Sequence, residues 1–511
     1  MSIGKNFARA LIAAVTALSM VSLTACSQPT QMPKALSATE QPAELQPFYE
    51  QSIDWHKCTD VAFCGDMTVP MNWADPTGET IRIAVAFQPA KSGNALGSVI
   101  FNPGGPGGSG VDFLTSYPDS VSTANLQDRF NIVGFDPRGV QNSEPKIQCL
   151  SSRQMDTFLY SDSESQPGTP EYVTEMRTVM SDFAKSCQKQ TGPLLEFVDT
   201  VSVARDLDVL RALVGDAKLN YLGFSYGSLI GTIYANLFPK LVGHMVLDGA
   251  IDPTAPDAEA TLLQLKGFDQ SLAAFLSDCL TSKDCPFSGP LNKSQQKVAQ
   301  FLYELESKPI ETSNPKRMLT STAALTGILS FLYSESEWPY LASAFAAAFE
   351  GDGTELLASA DFYNDRAEDG TYASNTTESN IAVNCMDSRS DVDPESLEVA
   401  NEEVMKTSPT LGRYWQSSGL SCADWPYPVA KQPDSWAAKG SAPILVIGTT
   451  GDPATPYSQS KALATNIFEN AMLLTYVGEG HTAYGRSNEC VANAVDDYFI
   501  KNVVFTENKR C

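Results

Sequence analysis

Positive charge is scarce in this 511-residue chain: 35 lysines and arginines stand against 60 aspartates and glutamates, a formal net charge of −25. A field of that sign repels phosphate backbones and anionic head groups, so nucleic acid is not an expected partner. Most of the charge is solvated surface, although acidic residues near a site would suit a cationic substrate group. Histidine is rarer still, with three in the whole chain, His56, His244 and His481. The chain has no His-Glu-x-x-His, and no cysteine spacing matches a zinc site, so no metal is expected. The apolar run at residues 10–21 is too short and too rich in small residues to span a bilayer. What is present, 43% hydrophobic and 19% charged residues, describes a globular chain longer than one ordinary domain, hence a large core with an insertion or second lobe.

The N-terminus reads as an export signal over residues 1–25: Lys5 and Arg9, then the apolar run, then Leu23-Thr24-Ala25-Cys26. A cysteine placed there resembles a bacterial lipobox. That resemblance implies cleavage before Cys26, acylation of its thiol, and a lipid anchor holding the protein to the outer face of the cytoplasmic membrane. Residues 26–47 have no period and little bulk, which predicts a flexible tether. Apart from Cys26, ten of the 11 cysteines remain, an even number that suits a disulfide framework in an exported chain. Proximity suggests Cys58 with Cys64, Cys149 with Cys187, Cys279 with Cys285, Cys385 with Cys422, and Cys490 with Cys511.

The rest of the chain is organised around Gly223-Phe224-Ser225-Tyr226-Gly227. A buried-strand run at 219–224 enters it and a small-residue helical segment at 228–237 leaves it, the setting of a serine on a sharp strand-to-helix turn. Further strands are expected at 81–87, 97–101, 131–135, 241–247, 444–448 and 471–477, with a hairpin or strand pair within 58–72. An amphipathic helix is expected at 202–214. From 252 to 432 helical periodicity takes over. The predicted architecture is therefore a mostly parallel α/β sheet in two parts, 48–251 and 433–511, with an inserted, mainly helical cap or lid at 252–432.

Two readings compete for the glycine-dense stretch Asn102-Pro103-Gly104-Gly105-Pro106-Gly107-Gly108-Ser109-Gly110. Gly105-x-Gly107-x-x-Gly110 with Asp136 after a later strand satisfies a dinucleotide fingerprint. Pro106 removes an N–H from any phosphate cradle, and an exported protein meets little nicotinamide, so no cofactor is expected. The favoured reading gives the Gly104 or Gly105 N–H half of an oxyanion hole, with the Tyr226 N–H as the other half. Of the histidines, His56 and His244 read as structural, whereas His481 hangs on a glycine-flanked loop after a strand and is the expected general base. Asp452, in Gly451-Asp452-Pro453 after another strand, is the expected acid, with Asp424, Asp387 and Glu479 as weaker candidates. Ser225 would attack a carbonyl and pass its proton to His481, and water would release the acyl group.

Gly104-Gly105-Pro106-Gly107, the serine pentapeptide, Gly451-Asp452-Pro453 and Gly480-His481, in that order, resemble the α/β-hydrolase peptidases of the prolyl aminopeptidase type. More narrowly, the chain is similar to secreted tripeptidyl aminopeptidases and related lipoprotein hydrolases of actinobacteria; Arg205-Asp206-Leu207-Asp208 and the segment ending in Cys490 and Cys511 share in this. The resemblance implies an α/β-hydrolase fold and an exopeptidase that takes short peptides from a free amino terminus without metal or cofactor. Asp387, Glu335 and Glu337 are candidate ligands for that terminus. Pro103 and Tyr226 stand where prolyl enzymes carry histidine and tryptophan, which bears on proline specificity. An envelope carboxylesterase or lipid acyl hydrolase with the same triad is the alternative, and a silent surface binding protein a distant third.

Overall fold

The computed structural model describes residues 32–38, 41–390 and 392–511. The signal segment and the acylation expected at Cys26 lie outside them. Among the described residues ten strands make one sheet: β1 (His56–Lys57), β2 (Phe63–Pro70), β3 (Thr80–Gln88), β4 (Ser98–Asn102), β5 (Asn131–Phe135), β6 (Leu219–Phe224), β7 (Val242–Asp248), β8 (Ile444–Gly451), β9 (Ala471–Glu479) and β10 (Lys509–Arg510). Their order is β1-β2-β3-β5-β4-β6-β7-β8-β9-β10, with β1, β2 and β3 pairing antiparallel, β3 meeting β5 antiparallel, and every later neighbour parallel. The parallel strands are the continuous apolar runs, because both of their faces are covered. Ile100, Tyr221, Leu247 and Val446 point to one core, and Phe101, Leu222, Val246 and Leu445 to the other.

Helices α1 (Gln46–Glu50), α2 (Gly110–Ser116), α3 (Ala124–Arg129), α4 (Ser152–Tyr160), α5 (Pro170–Thr191), α6 (Thr200–Leu213) and α7 (Tyr226–Leu237) accompany the first part of the sheet. The insertion between β7 and β8 carries α8 (Asp257–Cys279), α9 (Leu291–Ser307), α10 (Ser321–Leu332), α11 (Trp338–Phe349), α12 (Thr354–Tyr363), α13 (Thr376–Asp387) and α14 (Pro394–Thr407). Then come α15 (Tyr457–Ala462) after β8 and α16 (Glu489–Lys501) after β9. Helices α6 and α7 fill one face of the sheet, and α2, α3 and α16 the other.

The helical insertion does not behave as one lid. Helices α8 to α12 bury Phe268, Phe275, Phe345 and Leu357 in a core of their own, whereas Ala382, Val383 and Met386 of α13 join the main core. The expected boundary at 252–432 therefore encloses a cap and a segment that has returned to the sheet domain. The excursion between β5 and β6, which the strand pattern passed over, also supports the cap. Asp162 accepts from the Ser321 hydroxyl and the Thr322 N–H at the start of α10, at 2.8 and 2.9 Å. Asp156 of α4 holds Arg366 in a two-pronged pair at 2.6 and 2.9 Å.

The tether expected at 26–47 needs correcting as well. Residues 32–38 run along α6, where the Leu36 N–H donates to the Ala212 carbonyl at 2.9 Å and Ala38 is buried, and α1 begins at Gln46. Sparse apolar residues suffice here because they dock on an existing surface rather than build one. Below the sheet edge, Arg138 is fully buried, pairs with both oxygens of Asp206 at 2.7 and 2.8 Å, and donates to the Pro70, Met71 and Phe197 carbonyls. Five disulfides are present among the described residues: Cys58–Cys64, Cys149–Cys187, Cys279–Cys285, Cys385–Cys422 and Cys490–Cys511. They suit an extracytoplasmic compartment. No helix among the described residues is long and apolar enough to cross a membrane.

Burial pushes Asp136, Asp216 and Asp248 up to about 6 and Asp387 up to about 7. An acid whose folded value exceeds its unfolded value of about 3.9 costs stability once ionised, and the cost is relieved as pH falls from the folded value towards the unfolded one. Asp156, Asp424 and Glu175 are held below the ordinary carboxylate range, so what they contribute is lost only in stronger acid. The expected outcome is a melting temperature several degrees higher at about pH 5.5 than at about pH 8, measured by calorimetry. A melting temperature that rises steadily towards pH 8 would contradict this account.

Candidate active site

Strand β6 runs straight into Ser225, whose φ of 53° and ψ of −123° are unusual for a residue with a side chain, and α7 starts at the next residue. The surroundings impose that turn. The Ser225 N–H donates to the Asp248 carbonyl at 2.8 Å, and the Ser225 carbonyl accepts from the Ser228 N–H at 2.8 Å. Strand and helix cross so closely that a Cβ on Gly223 would lie 2.3 Å from the Gly227 carbonyl oxygen. This is the reason for the Gly-x-Ser-x-Gly spacing. The positive end of the α7 dipole thus faces the serine.

The glycine-dense loop after β4 lies directly against this turn. A Cβ on Gly104 would sit 2.9 Å from Ser225 Cβ and 3.4 Å from the Tyr226 nitrogen. The Gly104 N–H is nevertheless engaged, donating to Asn102 Oδ1 at 2.9 Å. Of the two glycines expected to supply an oxyanion donor, Gly104 is therefore corrected to a loop anchor. The N–H groups of Gly105 and Tyr226 have no partner among the described residues. The dinucleotide alternative loses its acid: Asp136 accepts from the Ser109 hydroxyl at 2.6 Å, the Val111 and Asn142 N–H groups at 3.0 Å, and the Asn142 carboxamide at 2.9 Å. It fastens the start of α2 and has no oxygen left for a ribose.

Asp452 follows β8 and His481 follows β9, and the sheet brings them together. His481 Nδ1 lies 2.9 and 3.0 Å from the two Asp452 oxygens. Asp452 also accepts N–H groups from Ala454 (3.0 Å), Thr455 (2.8 Å) and Thr482 (3.2 Å), and the Thr455 hydroxyl at 3.1 Å. So many donors fix the carboxylate and leave its open edge to the imidazole. The His481 ring packs against Gly249, where a Cβ would meet Cε1 at 3.3 Å. Gly249 adjoins the Asp248 whose carbonyl holds the Ser225 N–H, so imidazole and serine turn both border the end of β7. The cap reaches the same place: the His481 N–H donates to the Tyr333 carbonyl at 2.8 Å, and the two rings stand edge to face with centroids 5.4 Å apart.

The other acids separate cleanly. Asp424 pairs with Arg177 on the surface. Asp387 takes the Thr200 N–H at 2.8 Å and the Thr200 hydroxyl, capping α6, and reaches the Tyr226 hydroxyl only through Thr200, which lies 2.6 Å from it. Its hydrogen bonds tie it to the start of α6, and none of them reaches His481. Glu335 is exposed on the cap turn after α10, beside half-buried Glu479; burial and the Glu335 charge together push Glu479 up. Glu337 is exposed on the same turn and no contact places it at the imidazole. His244 binds Asn220 and Asn502, and His56 is exposed on β1. A cavity of about 500 Å³ between α8 and α14, walled by Leu262, Leu397, Val404 and Trp415, includes none of Ser225, Asp452 and His481.

Sequence reasoning missed Thr455, Tyr333 and the part played by Asp248. Thr455 and Asp248 carried a signal: a hydroxyl three residues after the expected acid, and a third aspartate ending an apolar strand. Tyr333 carried none. No group of metal-binding side chains occurs among the described residues.

The profile of the alpha/beta hydrolase fold matches residues 97–485. The chain is 33% identical over 487 residues to serine protease Hip1 of Mycobacterium tuberculosis, covering 91% of this chain and 92% of that one. It is 34% identical over 502 residues to carboxylesterase B of the same species, covering 94% and 95%. It is 30% identical over 467 residues to tripeptidyl aminopeptidase of Streptomyces lividans, covering 88% and 84%.

Proposed function

This chain belongs to the alpha/beta hydrolase family, and from that premise we propose that it is an exported serine aminopeptidase releasing tripeptides or smaller fragments from free amino termini. Ser225 is the nucleophile, His481 the general base and Asp452 the acid that orients it. The observation that carries the reading is the two-oxygen contact of Asp452 with His481 Nδ1, beside the strained serine turn. With Nδ1–H held by the carboxylate, Nε2 is left basic. It takes the Ser225 proton as Oγ adds to the carbonyl, then returns that proton to the leaving amine. The N–H groups of Tyr226 and Gly105 stabilise the oxyanion, and water repeats the sequence to free the acid product.

Similarity to a serine protease and a tripeptidyl aminopeptidase supports the peptide reading. Glu335 and Glu479, flanking the cap's contact with the His481 loop, place negative potential where an ammonium group would dock. Helices α8 to α12 act as the gate above the serine. Similarity to carboxylesterase B favours a second reading, an envelope ester hydrolase using the same triad. Export with acylation of Cys26 completes the proposal, supported by residues 1–26 and the disulfides.

A chromogenic series of free and N-acetylated tripeptides, run beside a short-chain nitrophenyl ester, tests the choice. The free peptides should react with kcat/KM at least about tenfold above the blocked ones, and Glu335→Gln with Glu479→Gln should raise KM for free peptides about tenfold with kcat little changed. Equal rates on free and blocked peptides, with faster ester turnover, would move the assignment to the ester hydrolase.

A further inference from the structure

Asp248 ends β7 and is fully buried. Its carbonyl accepts the Ser225 N–H at 2.8 Å. Its carboxylate accepts the N–H groups of Ala483, at 3.1 and 2.9 Å, and of Tyr484, at 2.7 Å. Those two residues follow His481-Thr482 directly. We propose that Asp248 is a positioning residue, one strand end holding both the turn that carries the hydroxyl and the loop that carries the imidazole, and so setting their separation. This rests on the reading of Ser225 and His481 as nucleophile and base.

The loop needs such an anchor. Gly480 and Thr482 flank His481 with φ of 101° and 64°, and a threonine in that region holds its conformation only when neighbours impose it. Upstream, the His481 N–H is held by the Tyr333 carbonyl of the cap and the Gly480 N–H by the Gly451 carbonyl at the end of β8, at 3.3 Å. Downstream, Asp452 holds the Thr482 N–H, and Asp248, at the end of β7, holds the next two. Asp248 alone among these ties the loop to the strand end that also holds the serine turn.

The choice of residue is also informative. No lysine or arginine pairs with Asp248 among the described residues, its charged neighbours are Asp452 and His481, and burial pushes its carboxyl up to about 6. A buried acid at that position costs stability near neutral pH. The carboxylate offers two acceptor oxygens to adjacent N–H groups, which no neutral side chain of that length matches.

The test compares Asp248→Asn and Asp248→Ala with the wild type and Ser225→Ala, reading kcat, KM, fluorophosphonate labelling rate and melting temperature at about pH 8. Asp248→Asn keeps one acceptor, so kcat and labelling should fall about tenfold, and Asp248→Ala about a hundredfold, with KM within about threefold in both. The melting temperature of Asp248→Asn should match or exceed that of the wild type, because a buried charge has gone. A purely structural role would instead lower the melting temperature and leave kcat of the folded protein alone. A kcat within about twofold of wild type in folded Asp248→Asn, or failure of that variant to fold, overturns the proposal. If Ser225→Ala is inactive while the Asp248 variants are unaffected, only this inference falls; if Ser225→Ala stays active, the nucleophile assignment falls instead.

Discussion

Ser225→Ala is expected to lower turnover roughly a millionfold, about 8 kcal/mol of transition-state stabilisation, and to abolish fluorophosphonate labelling. The size follows from what the site offers without the hydroxyl. The Gly105 and Tyr226 N–H groups remain, the α7 dipole remains, and substrate still binds, but only a loosely held water can attack. The substitution itself is mild, since Ser225 makes its turn through backbone bonds to Asp248 and Ser228 that alanine keeps. The melting temperature should therefore change little, which separates loss of chemistry from loss of fold. Retention of more than about a hundredth of the activity would remove Ser225 from the nucleophile role.

Asp452→Asn should cost about ten-thousandfold in kcat, with KM within a fewfold. Oδ1 of Asp452 accepts the Ala454 and Thr455 N–H groups, so the amide of an asparagine would place its oxygen there. Its NH2 then occupies the Oδ2 position, 3.0 Å from His481 Nδ1, and donates to it. The proton of the imidazole is driven to Nε2, and the ring cannot accept from Ser225. The Thr482 N–H and the Thr455 hydroxyl also lose their acceptor, so a modest fall in melting temperature accompanies the kinetic loss. Steady-state kinetics on a free tripeptide substrate gives the check. A loss below about a hundredfold would mean that the imidazole is oriented by something else.

Much of this protein is legible along the chain because the features concerned are local. The apolar runs that became β4 to β9 announce a buried parallel sheet by their continuity, and Gly223, Ser225 and Gly227 announce a sharp turn by their spacing. The order of serine, aspartate and histidine, each just past a strand, follows from the same reading. The two-residue β10 has no such pattern; it exists because Lys509 and Arg510 add to the edge of β9, next to Cys511 bonded to Cys490. Helices α4 and α5 lie in the long excursion between β5 and β6, where no strand run marks the chain.

By itself, then, the sequence determined a layered α/β chain with a helical insertion, a cysteine framework, and a serine, an acid and a histidine in a workable order. Which acid meets the histidine was decided by tertiary structure, since Asp387, Asp424, Asp452 and Glu479 all stand at plausible turns and only Asp452 has its open edge on Nδ1. Tertiary structure also decided which glycine keeps a free N–H, that α13 belongs to the sheet domain rather than the cap, and that Asp248 spans 235 residues to hold the loop after His481. The physical reason is the same in each case. A turn or a strand is written in neighbouring residues, but hydrogen bonds to a carboxylate or an amide depend on which strand ends the sheet sets side by side, and no local pattern encodes that.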